Sequence, residues 1–159
     1  MRRSEYAGER LLLTLWVGSL WAIGFLAVPV AFSTLDSATA ADFAAILFQL
    51  VSYLGLFCGA ILIATKLMLD RATIPGSWRF WILILMVSTT LVLTVYLLPE
   101  MAQLRQMMIQ ADTELSQRFD RLHVISENLY LLLSVLGLLL VMTSDKTHQL
   151  PSESQDGPK

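Results

Sequence analysis

The sequence predicts an all-α membrane protein, a four-transmembrane-helix bundle with an amphipathic periplasmic segment between helices 3 and 4. Three observations carry that prediction. Of 159 residues, 55% are hydrophobic and only 15% are charged, whereas a soluble domain is about 45–50% apolar and about 25% charged. Mean hydropathy is +0.62. The charges are also gathered between apolar runs long enough to cross a hydrocarbon core, which takes roughly 20 residues of helix.

Leu11–Phe32 reads as the first span, within a transmembrane domain over residues 11–142 that follows a cytoplasmic stretch at 1–10. Phe43–Leu69 contains the second span and Trp78–Leu98 the third. The fourth is continuous and apolar only from Leu129 to Met142, roughly 21 Å of helix against a core of about 30 Å. Its missing turns are the polar ones, holding His123, Ser126, Glu127 and Asn128. Pro29 is expected to kink the first helix, and Pro99 to end or bend the third. Ile74-Pro75-Gly76-Ser77 reads as a tight turn with Ser77 capping the third helix. Residues 143–159 are polar, an expected disordered cytoplasmic tail.

Orientation follows the basic residues. Arg2, Arg3, Arg10, Lys66, Arg71, Arg79, Lys146 and Lys159 fall on one side, and only Arg105, Arg118 and Arg121 on the other. Both termini are therefore expected to face the cytoplasm. Trp78 and Trp81 stand where an interfacial aromatic belt would lie. "SATAAD" at Ser37–Asp42 imitates a signal-peptidase site, but the preceding apolar run exceeds the roughly 7–15 residues of a signal h-region, so a retained anchor is expected. A net charge of −2 without a basic stripe excludes nucleic acid as a partner class. Cys58 is a lone cysteine in an apolar run, which reads as packing.

Between spans three and four, Met101, Leu104, Met108, Ala111 and Leu115 recur at helical spacing within Glu100–Gln117, a segment expected to rest on the lipid surface or over the bundle mouth. Gly55 and Gly59 lie one turn apart on the second helix, with Ser52 on nearly the same face, and Thr14 and Gly18 offer a similar face on the first. Small residues at this spacing let backbones approach closely. The expectation is packing within the bundle, with a homodimer contact as the rival.

Asp120, His123, Ser126, Glu127, Tyr130, Ser134 and Gly137 fall on one face of the fourth helix, about 120° wide. Three readings apply to that stripe. In the structural one, His123 pairs with Glu127, while Ser126 and Tyr130 bond across helices. In the second, Asp120, His123 and Glu127 ligate a divalent metal. In the third, the stripe lines a site for a small polar solute, a proton or a porphyrin. No nucleophile–base arrangement and no phosphate-binding glycine loop is present, so a non-enzymatic role is expected.

"LWVGSLWAIGFLAVPVAF", "FAAILFQLVSYLG" and "FDRLHVIS" together resemble the transmembrane-protein-205-like family, a bacterial domain of unknown function in small four-helix membrane proteins. The positions carrying the resemblance are Trp16, Gly18, Phe25, Pro29 and Phe32, then Phe43, Phe48 and Tyr53, then Phe119, Arg121, His123 and Ser126. It spans most of Leu11–Met142 and implies that the first span is retained. More remotely the chain is similar to the copper-resistance D and membrane protoporphyrinogen oxidase group, which implies haem or copper and an oxidoreductase subunit as the alternative function. That oxidase places a histidine on its first helix, where this sequence has none. Two axial imidazoles would then require a dimer. The expected partners are the lipid bilayer and either a second copy or another membrane protein.

Overall fold

The computed structural model describes residues 2–69, 77–107 and 113–143, all helical apart from short caps. The first span is built from α1 (Arg2–Trp21), a wide π turn (Ala22–Ala27) and α2 (Val28–Thr34). The second is α3 (Ser37–Leu69). The third comprises α4 (Trp78–Val92), a second π turn (Leu93–Leu97) and α5 (Leu98–Met107), and the fourth is α6 (Thr113–Met142). Each span is long and apolar enough to cross a membrane.

Neither proline ends its helix. A mid-helix proline removes one backbone donor and crowds the carbonyl a turn earlier. Here the π turn Ala22–Ala27 lies just before Pro29, and Leu93–Leu97 just before Pro99. The looser turn makes room for the ring, and the helix runs on. This changes the expected third span, which continues through Pro99 to Met107. The expected amphipathic segment Glu100–Gln117 is helical where it is described. Glu100–Met107 prolongs the third span, with Leu104 only 4% exposed, and Thr113–Gln117 already belongs to α6. Met108 and Ala111 lie outside the described residues, as do the turn residues 74–76 and the tail beyond 143. Residues 2–10 are part of α1. Ser77 occupies the N-cap of α4 without a side-chain bond. Its backbone carbonyl accepts from the Phe80 amide instead.

The spans form a ring in chain order, each packed on the next and the fourth on the first. The core is continuous through Leu13, Trp16 and Leu20 of α1, Val51, Cys58 and Leu62 of α3, Leu83 and Met86 of α4, and Leu133 and Leu140 of α6. Buried hydroxyls are satisfied locally: Thr90 donates to the Met86 carbonyl at 2.8 Å and Ser134 to that of Tyr130 at 3.0 Å. Below, the basal end is where α1 begins and α6 finishes, and the distal end is the opposite one.

One feature of the ring positions the candidate site. α1 packs on both α3 and α6, but beyond the π turn α2 packs on α3 and makes no comparable packing on α6. The distal part of α6 instead lies against α5. The first span therefore covers α6 less beyond Gly24 than below it, and the exposed distal face of α6 on that side is called the distal cleft.

Candidate functional site in the distal cleft

The polar stripe of α6 divides at that level. Its lower residues face the bundle: Ser134 is 2% exposed, and Gly137 packs against Val17 and Met86 so closely that an added Cβ would meet Val17 Cγ2 at 2.6 Å. Tyr130 marks the floor of the cleft. Its hydroxyl donates to the Leu20 carbonyl at 2.5 Å, just before the π turn. Its ring stands edge-on to Phe48 with centroids 4.9 Å apart and lies over Gly24, where an added Cβ would approach Tyr130 Cε1 to 2.6 Å. Gly24 is thus the position at which the π turn of the first span admits the tyrosine ring.

Above Tyr130 the stripe is exposed. His123 Nε2 and Glu127 Oε1 are 3.2 Å apart, with side chains 53% and 64% exposed. The Phe119 ring stacks on the imidazole, nearly parallel at 9° and 6.0 Å between centroids. Asp120 is exposed. Ser126 does not reach across helices. Its hydroxyl donates to the His123 carbonyl of its own helix at 2.8 Å. Asn128, which points elsewhere, donates to the Val124 carbonyl at 2.7 Å. The five candidate side chains are therefore not one constellation. His123 and Glu127 form an outward pair on the cleft wall, and Tyr130 forms an inward anchor below it.

Among the described residues no three His, Cys, Asp or Glu side chains could hold a metal ion together. One imidazole, already bonded to a carboxylate, supplies a single axial ligand. What the pair can do is hydrogen-bond: a carboxylate and an imidazole present acceptors and a donor to a head group entering from the side.

The small-residue faces also divide. Trp16, 0% exposed, lies in the notch made by Gly55 and Gly59, and added Cβ atoms would come within 2.3 Å of its Nε1 and 3.4 Å of its Cζ3, respectively. Ser52 is buried nearby. That notch is therefore filled by the chain itself and is closed to a second copy. Thr14 and Gly18, by contrast, are exposed, and nothing lies within 4 Å of a Cβ built on Gly18.

A basal cluster escaped the sequence reading. Lys66, a flanking basic residue in the orientation argument, reaches Glu9 at 3.3 Å, and Arg79 approaches the same carboxylate oxygen at 3.9 Å. Arg79 also donates to the Leu140 carbonyl at 3.2 Å, so all four spans meet there beside a cavity of about 10 Å³. The available signal was Glu9 itself, an acid within the first turn before an apolar run. At the distal end Arg105 joins Asp42 at 3.1 Å and Arg118 joins Glu100 at 2.7 Å.

Four spans long and apolar enough to cross a membrane, packed around one apolar core, define a multi-pass membrane protein. Over residues 11–110 the chain matches the family described as Domain of unknown function (DUF4149), and it belongs to that family. The match takes in the first three spans, so the Phe119–Ser126 pattern and the α6 stripe lie outside it. Neither a curated protein nor a solved structure matches the chain.

Proposed function

We propose that this membrane protein is non-enzymatic and binds a small amphipathic ligand in the distal cleft, its polar head on His123 and Glu127 and its apolar part between the first and fourth spans. The observation that carries the reading is the exposed His123–Glu127 pair at 3.2 Å on the distal face of α6, which the first span covers less. Polar groups at membrane depth are costly unless they face protein, water or a bound partner. The distal part of the first span carries exposed apolar side chains, Phe25 and Val30 among them, 52% and 57% exposed. Passage of a solute through the bundle centre is a weaker reading, because Trp16, Met86 and Leu133 fill that centre.

The distribution of Lys and Arg supports an inner-membrane orientation with both termini cytoplasmic and the cleft opening on the periplasmic side. Reporter fusions after Ser37 should then read as outside and fusions after Arg71 as inside. An inside signal at Ser37 would overturn that topology.

The ligand reading is tested on protein purified gently from native membranes, as wild type, His123→Ala and Glu127→Gln. Mass spectrometry of the extract should find a small molecule near one per chain in wild type and depleted in both variants. An absorbance spectrum and elemental analysis on the same samples separate this from the redox alternative. A Soret band or stoichiometric metal that is lost in His123→Ala would replace the proposal with a haem- or copper-linked subunit.

A further inference from the structure

A second polar pair lies where lipid is expected. Gln49 Nε2 donates to the Tyr53 hydroxyl oxygen at 3.2 Å on the exposed side of α3, and Tyr53 is 52% exposed. The depth of this pair follows from the charges on the same helix. Asp42 is paired with Arg105, and Lys66 with Glu9, so both are anchored near the two ends of the bundle. Along α3 they are roughly 36 Å apart at about 1.5 Å per residue, bracketing a hydrocarbon core of about 30 Å. Gln49 then lies about 10 Å from Asp42, and Tyr53 about 16 Å from it, close to the bilayer middle. Tyrosine belongs at the interface, and intramembrane polar groups face protein or water.

The bond within the chain uses one of the two Gln49 amide donors. The other donor, the amide carbonyl and the Tyr53 O–H take no part in that bond, on side chains that are exposed. A carboxamide is its own complement, because its N–H matches the C=O of an identical group. A two-fold related α3 would bring the same pair to the same depth, with each side chain meeting its equivalent. The ridge allows close approach: Ala60 lies on the Gln49 line and Ala64 beside it, both exposed, and small residues at this spacing favour helix contact in membranes. The Gly55–Gly59 notch is on another side of α3 and already holds Trp16.

We propose that the protein forms a parallel homodimer through the exposed face of α3, with Gln49 and Tyr53 hydrogen-bonding to their counterparts across the two-fold axis and Ala60 at the closest approach. The contact is independent of the distal cleft. The full chain, made cysteine-free by Cys58→Ala, is tested by oxidative cross-linking in native membranes with Ala60→Cys, and with Val135→Cys on the exposed side of α6 as the control. A dimer band at twice the chain mass is expected for Ala60→Cys and not for Val135→Cys. Combining Gln49→Leu with Tyr53→Phe should weaken dimerisation about tenfold in a dilution series in lipid, since several interhelical hydrogen bonds are lost at once. Both positions are exposed, so the fold is kept, which the unchanged helical circular dichroism of the variant checks. A monomer at all protein-to-lipid ratios, a dimer indifferent to the double substitution, or cross-linking only to a different protein would each overturn the proposal.

Discussion

Replacing Gly55 by alanine adds one methyl group where α3 closely meets the Trp16 indole of α1. The new Cβ would stand 2.3 Å from Trp16 Nε1, 2.7 Å from Cε2 and 3.0 Å from Cδ1. Trp16 is 0% exposed, so the indole has no free space to swing into, and α1 and α3 must separate instead. Overpacking of this kind costs roughly 1–3 kcal/mol, occasionally more, and this contact belongs at the upper end. Alanine recovers about 1 kcal/mol of helix propensity. The net loss should be about 2 kcal/mol. The assay is an equilibrium SDS titration in mixed micelles followed by circular dichroism. Gly18→Ala is the control: with nothing within 4 Å of its Cβ, it should gain about 0.5–1 kcal/mol. Adding Trp16→Phe to Gly55→Ala should cost less than the sum of the two, because the smaller ring relieves the clash. A Gly55→Ala protein as stable as Gly18→Ala would refute the packing argument.

Three further outcomes follow from the same geometry. Tyr130→Phe removes the bond to the Leu20 carbonyl and should cost about 1 kcal/mol, with faster amide exchange around the first π turn; unchanged exchange there would contradict the anchoring role. Glu9→Gln leaves Lys66 and Arg79, 17% and 11% exposed at their side chains, without their shared carboxylate. It should destabilise the bundle by about 2 kcal/mol, below the figure for a fully buried pair because these groups keep some solvent. An indifferent Glu9→Gln would mean the cluster adds nothing. Asp36 accepts from the Thr39 amide at 2.9 Å, and that bond holds its carboxyl below the ordinary value of 3.8. A lowered pKa favours the folded state above that ordinary value, and the contribution is lost as pH falls through the folded-state value. Stability of Asp36→Asn should therefore be flatter than wild type below about pH 4, and superimposable acid limbs would count against the cap.

The sequence makes the spans legible because length and hydropathy are sufficient for a helix in lipid. It also shows the stripe on α6, since a helical wheel needs only spacing. What it does not show is where a neighbouring helix stops covering that stripe. The first span packs less on α6 beyond the π turn that precedes Pro29, and local rules predict only a kink there. Pro99 illustrates the same limit: its usual role as a terminator is overridden by a second π turn, and α5 then absorbs much of what reads as a surface segment. The Gly55–Gly59 spacing is visible in the chain, but its occupant, Trp16, is not, because that depends on the register between two spans. Lys66 reads only as a flanking charge until Glu9 and Arg79 are brought beside it by tertiary packing. His123 and Glu127, four residues apart on one helix, could be paired from the sequence; Ser126 bonds locally because its own helix offers a nearer acceptor.

The most direct test of the central claim is a mass-spectrometric inventory of small molecules held by wild-type, His123→Ala and Glu127→Gln protein drawn from native membranes. The account predicts one amphipathic species near stoichiometric in wild type and depleted in both variants. Identical inventories in all three, with Tyr130 still anchoring the cleft floor, would contradict it.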